Sequence, residues 1–318
     1  MATRIGIGLL IYDGFGGLNN LGDWYQTAAA MYIWWKHLKI DTPFKLFVEE
    51  CIRTQQMAGH PIVWLERNTM SKTQAPSHCD KVITICNAWW LCYHEGKFDF
   101  PFPPYVEPLF TSVHIACEDI LTDSAVDYFK RWSPVGCRDQ STHDMLQKYS
   151  IPCYFSGCLT SLLDLRDPRI GFKQSLDYSD ADVCVDTRCD YSKSKNLIVY
   201  MSQHGPYHHN PRFIIESLQR NYDLLFAKSV RTNRLHVWLP LFSNGGPVVL
   251  WNSGKKGAFQ VEDADPLTLR HDRFKGIVSI GEDPVKFEQM REALRIDIET
   301  RIQRAMETTA QKTPIAAE

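Results

Sequence analysis

The sequence predicts an α/β protein of two domains, each built on a parallel sheet, and three observations predict it. The length of 318 residues suits two cores of about 150 residues each. Short apolar, β-branched runs alternate with longer helical patterns, as βαβ units require. Between Leu163 and Lys195 the chain turns rich in Asp, Ser and Lys and loses any sustained period, which marks a boundary.

In order along the chain, strands are expected at 4–12, 44–49, 81–87, 109–115 and 152–156, then at 196–202, 222–227, 247–251 and 275–280. Helical patterns fall between them at 22–37, 121–132, 140–149, 211–219 and 234–243. The expected division is a first domain over 1–165, a linker over 166–195, a second domain over 196–283, and a helix with a frayed tail over 284–318. In that last helix Phe287, Met290, Leu294, Ile298 and Ile302 share one face. Such a face packs on a core or docks on a partner or membrane, and the pattern alone leaves both open.

Composition excludes several classes. Hydrophobic residues make up 44% and charged residues 23%, which is ordinary for a globular chain and excludes a disordered or fibrous one. The 35 basic and 37 acidic residues form no block of one sign, so no nucleic-acid partner is expected. No apolar run reaches the roughly 18 residues of a membrane span, and the opening stretch reads as a strand and loop rather than a leader. The ten cysteines are scattered through strand-like runs and read as buried, reduced thiols of a cytoplasmic protein. Cys153/Cys158 and Cys184/Cys189 have a spacing from which a zinc site could be imagined, but no metal is expected.

Three constellations carry chemistry. A glycine-rich loop after the first strand leads through Asn20, Leu21, Gly22 and Asp23 into a helix, and a helix N-terminus favours an anion. Asp23 in that position is equally an ordinary N-cap. Arg138 and Asp139 end a predicted strand, the place where open α/β sheets bind ligands, although an Arg–Asp surface pair has the same signature. Arg234, Leu235 and His236 open a helix, and Gly245, Gly246 and Pro247 turn into the next strand. A guanidinium grips carboxylate or phosphate and a neighbouring imidazole moves a proton near neutral pH. His114 on an apolar strand is a further candidate or a satisfied core histidine. Ser202, Gln203, His204 and Gly205, with His208 and His209, follow the first strand of the second domain; a metal on His204 and His208 is not favoured by the surrounding glycine and prolines. Trp24, Trp89, Trp90 and Trp238 lie near these motifs and could stack on a sugar, though a core role is the safer expectation.

These segments, in this order, resemble the signatures of the polysaccharide pyruvyl transferase superfamily: Asn20, Leu21, Gly22 and Asp23 with Gln26; Arg138 and Asp139 before a Leu-bearing helix; and Arg234, Leu235 and His236 with Gly246 and Pro247. The stretch from Asn87 and Trp89 through a Pro-rich loop to Ser112 and His114 also resembles a family segment. The resemblance implies a GT-B-like fold, two Rossmann-like domains facing across a cleft, and a transferase that moves pyruvate from phosphoenolpyruvate onto two sugar hydroxyls as a ketal. It implies Arg138 and Arg234, with Leu235, His236, Ser202, His204 and Gly246, on the donor. His236, Arg234, Arg138, Asp23 and His114 are then the catalytic set, and Asn20, Gly22, Asp23, Trp89 and Trp90 line the acceptor. No cofactor is implied; the partner is a saccharide or lipid-linked saccharide. Peripheral membrane association and homo-oligomerisation stay open. One departure stands out: Ser156, Gly157, Cys158, Leu159 and Thr160 replace a family Gly-Asp-Pro, so the acidic residue is missing. That keeps a glycosyltransferase using a nucleotide sugar as the alternative.

Overall fold

The computed structural model describes residues 4–12, 18–90, 100–185, 196–199, 202–204, 210–250, 276 and 283–311. The chain opens with β1 (Ile5–Ile11), β2 (Leu18–Asn20), α1 (Leu21–His37), α2 (Phe44–Thr54), β3 (Gln56–Met57), β4 (His60–Glu66) and β5 (Lys81–Cys86). It continues with β6 (Trp89–Trp90), β7 (Val106–Phe110), β8 (His114–Ile115), α3 (Asp123–Arg131), β9 (Val135–Cys137), α4 (Gln140–Lys148) and β10 (Cys153–Phe155). The remainder comprises β11 (Asp182–Val185), β12 (Asn196–Val199), β13 (Ser202–His204), α5 (Arg212–Leu224), β14 (Ser229–Thr232), α6 (Leu235–Ser243), β15 (Val248–Leu250) and α7 (Pro284–Gln311).

Two compact units share this chain. The first takes Met1–Ile11, Glu50–Leu159 and His271–Glu318, and the second takes Tyr12–Glu49 and Thr160–Arg270. The chain therefore crosses between units more often than the contiguous division at 165 allows. Helix α1 belongs to the second unit, α7 to the first, and the polar stretch after 166 is not a free linker, since it contains β11.

In the first unit β4, β1, β5 and β7 lie side by side and parallel, with β3 antiparallel on the β4 edge. Strands β9 and β10 form a parallel pair, and a bridge from Val113 to Cys137 ties that pair to the segment leaving β7. In the second unit β12, β11, β14 and β15 are all parallel. Setting β3 aside, each sheet has its second, first, third and fourth strands in that spatial order, so the crossovers reverse direction after the second strand and the switch point lies between the first and third. Such a switch point opens a crevice at the carboxyl ends of the strands, where ligands bind in open α/β sheets.

Helix α1 explains much of the second unit's core. Trp24, Tyr25, Met31, Trp34 and Trp35 are fully buried, and Ala28, Ala29 and Ala30 let neighbouring helices approach. A helix buried nearly all round reads as apolar without a clear stripe, and α1 meets both α5 and α6. In the first unit α7 buries Phe287, Leu294, Ile298 and Ile302, each at most 3% exposed, and packs on β7. The last helix is thus a core helix of its unit. No helix among the described residues is long and apolar enough to cross a membrane.

Two expected strands are helical. The segment 44–49 lies in α2, where Phe44, Phe47, Val48 and Cys51 are buried while Leu46 is 52% exposed. Apolar residues spaced by three and four bury one helical face, and the exposed Leu46 disguises that period. The segment 222–227 overlaps the end of α5, whose buried Ile214, Leu218, Asn221, Leu224 and Leu225 keep helical spacing. Of the strand expected at 275–280 only Gly276 lies within the described residues, and it stands in a turn.

The cysteines differ from the all-thiol expectation. Cys117 and Cys184 are disulfide-bonded, whereas Cys51, Cys79, Cys86, Cys137, Cys153 and Cys158 form no disulfide. Cys92 and Cys189 lie outside the described residues. Sequence spacing reports neither state, because pairing depends on which Cβ atoms the fold brings together.

Candidate functional site

In the second unit, two motifs from distant parts of the chain meet at the N-terminus of α1. Asn20 caps the helix: its extended backbone (φ −93°, ψ 108°) lets the side-chain oxygen accept from Gly22 N–H at 3.0 Å. A Cβ on Gly22 would lie 3.1 Å from Asn20 Oδ1 and 3.2 Å from both Cβ and Nδ1 of His236. A side chain here would force the imidazole or the cap to give way by a few tenths of an ångström, because His236 packs directly against the helix start. Asp23 stands in the first turn and accepts from Gln26 Nε2 at 3.1 Å, so it is not the N-cap. The backbone of β13 pairs antiparallel with β2, Ser202 opposite Asn20 and His204 opposite Leu18. The three second-unit segments singled out in the sequence are therefore neighbours. The side chains of Ser202 and His204, and all of Gly205, His208 and His209, lie outside the described residues.

Arg234 sits where β14 ends, next to β11, at the switch point of the second sheet. Its N–H donates to Thr232 Oγ1 at 3.0 Å, and its carbonyl accepts from Val237 and Trp238 as the first turn of α6 forms. Leu235 is buried and His236 is 9% exposed. Gly246 closes the other end of α6, its N–H donating to Leu241 O at 2.7 Å. A Cβ there would press on Leu225 Cδ1 at 3.0 Å, so packing accounts for that glycine.

A second cluster lies in the first unit, at the carboxyl ends of β7 and β9. Asp139 caps α4, accepting from Thr142 N–H at 3.0 Å and Ser141 Oγ at 2.8 Å. Its other oxygen, Oδ2, is 2.5 Å from His114 Nδ1 and 3.6 Å from Arg138 Nε. His114, Arg138 and Asp139 are at most 2% exposed. Burial penalises the Asp139 carboxylate, yet His114, then Arg138 and the Thr142 N–H, outweigh it and hold the group well below the usual carboxylate range. Arg138 Nε has no hydrogen-bond partner among the described residues. A buried guanidinium is expensive unless an anion pairs with it, and the Asp139 carboxylate is that anion.

Trp89 stands beside His114, their ring centroids 6.0 Å apart, and is half-buried. Trp90 is 1% exposed among Phe100 and Phe102, and Trp24 packs on Tyr12 and Phe213, so these rings serve their cores. Trp238 is buried and stacks on Phe242. Ser156, within the departure from the family pattern, accepts from Ser112 N–H at 3.1 Å and donates to Cys137 O at 3.0 Å. Ser112 holds a left-handed backbone, φ 55°, between β7 and His114. Sequence reasoning missed Thr142, and it named Ser112 and Ser156 without giving either a part in this cluster. The Asp-x-x-Thr cap was the one available signal, since the serines matter only through contacts distant in sequence. Among the described residues no group of three or more His, Cys, Asp or Glu side chains is arranged to hold a metal.

No family model and no curated protein matches the chain. Among solved structures it is similar to a functionally uncharacterised protein from Klebsiella pneumoniae subsp. pneumoniae, at 19% identity and a TM-score of 0.42, over 78% of this chain and 85% of that one.

Proposed function

We propose that the chain is a transferase that moves pyruvate from phosphoenolpyruvate onto two hydroxyls of a saccharide. The observation that carries this reading is the packing of His236 against Gly22. It joins a proton-transfer group, a helix N-terminus that favours anions and the neighbouring Arg234, and it does so from the segments that resemble the family.

The chemistry asks for these groups. The methylene carbon of the donor gains a proton, two sugar oxygens bond to the central carbon, and the carbon–oxygen bond to phosphate breaks. Of the two hydroxyl protons released, one balances the new methyl group and the other leaves with phosphate. His236 is the leading proton carrier, with the neighbouring Arg234 as a cation for carboxylate or phosphate, and Arg138 is the candidate cation of the first unit. His114, its Nδ1 fixed by Asp139, and Asp23 are the candidates for the acceptor hydroxyls, and half-buried Trp89 offers a face to a sugar. A cytoplasmic setting belongs to the same proposal, since activated donors are held there; the disulfide-bonded state of Cys117 and Cys184 weighs against it.

Ligand-induced thermal stabilisation tests the donor. Phosphoenolpyruvate at about 100 times its dissociation constant adds roughly 2.7 kcal/mol, and this gain is expected to vanish in Arg234→Ala. His236→Ala is expected to lower turnover by about a hundredfold or more with folding intact. Stabilisation by a nucleotide sugar and not by phosphoenolpyruvate would replace pyruvyl transfer with glycosyl transfer, the alternative that the stretch from Ser156 to Thr160 keeps alive.

A further inference from the structure

Helix α6 contains a proline, Pro240, four residues after His236. In a regular helix the His236 carbonyl would accept from the N–H of residue 240, and proline has none. The backbone at His236 is correspondingly non-helical, φ −83° and ψ 16°. A buried carbonyl deprived of its helical donor needs another one. Asn221 supplies it: from α5, fully buried, its Nδ2 donates to His236 O at 3.4 Å and to Ser217 O at 3.1 Å. The cost of that choice is visible, because Asn221 Oδ1 is buried with no hydrogen-bond partner among the described residues. An apolar residue would fill the α5–α6 contact without that penalty.

We propose that Asn221 and Pro240 form a positioning device for His236. Pro240 removes the backbone bond that would draw His236 into a regular helical turn, and Asn221 holds the resulting bend so that the imidazole lies against Gly22. The catalytic part of this inference rests on His236 as the proton carrier; the geometric part does not.

The test pairs kinetics with imidazole ¹⁵N–¹H spectra of His236 across pH, on the full chain. Three variants serve: Asn221→Leu, Pro240→Ala, and the two combined. Asn221→Leu is expected to shift the His236 titration and lower kcat about tenfold or more, with KM for phosphoenolpyruvate within about twofold. Pro240→Ala alone, which restores a backbone donor, is expected to shift the same resonances. In the combined variant the restored N–H satisfies His236 O, so the loss from Asn221→Leu is expected to shrink. If Asn221→Leu fails to fold, Pro240→Ala decides alone: unchanged His236 resonances overturn the proposal. A loss of kcat with an unchanged His236 titration overturns it as well, because Asn221 would then be merely structural. If the wild type does not turn over phosphoenolpyruvate, the functional reading fails while a shifted His236 titration still supports the device.

Discussion

At the scale of residues, the buried group of His114, Arg138 and Asp139 makes a prediction about acid. Asp139→Asn keeps a good helix cap while removing the charge. It is expected to destabilise the protein by about 3 kcal/mol near neutral pH, since a buried guanidinium loses its carboxylate. The Asp139 pKa is lowered in the folded protein, so its contribution is fully present above the ordinary carboxylate pKa of about 4 and is lost as pH falls below that value. Urea denaturation of wild type and variant from pH 7 to pH 2 should therefore show a gap that begins to close below about pH 4. A gap of constant size over that range would mean that the carboxylate is not the group responsible. Motifs are what made the sequence single out Asn20, Gly22, Arg138, Arg234 and His236, and of these the structure packs Gly22 against His236 and buries Arg138 beside Asp139. Asn221 was illegible because its role exists only where Pro240 leaves a carbonyl without a donor, and a polar residue on an otherwise apolar helical face gives no hint of that.

Elements reveal a different balance. The long helices α1 and α7, of 17 and 28 residues, were legible, α7 from the helical spacing of its apolar face and α1 from an apolar run too long for a strand. Short segments such as 44–49 were not, because six residues rich in Phe, Leu and Val fit a strand and a helix alike. Helix α7 carries the prediction at this scale. Leu294→Ala is expected to destabilise the first unit by about 2–5 kcal/mol, as for other leucines truncated in a packed core, while Ile296→Ala, at 52% exposure, should change stability by no more than about 0.5 kcal/mol. Equal effects of the two variants on thermal melting would show that the apolar face of α7 is not held against β7. The turn at Gly157 supports the same docking: with φ 71°, its missing Cβ would lie 2.5 Å from Met290 Sδ.

For the whole molecule, the consequence of interleaving is that no contiguous half is complete. A fragment of residues 1–165 contains α1 without α5 and α6, and β7 without α7. It is expected to lack a cooperative thermal transition by circular dichroism, and a sharp transition in that fragment would restore the contiguous division. Composition changes near 165, close to the crossing at Leu159 and Thr160, but the two excursions of the chain leave no mark in it, because only tertiary contact decides which unit a helix joins. The same threading fixes an order of events at the ribosome. Every segment of the second unit has been made by residue 270, whereas the first unit waits for α7, so the face of β7 that α7 covers stays bare while the rest of the chain emerges. An apolar surface left waiting invites association with other nascent chains, which makes the interval before α7 is made the step at which a holding chaperone would act.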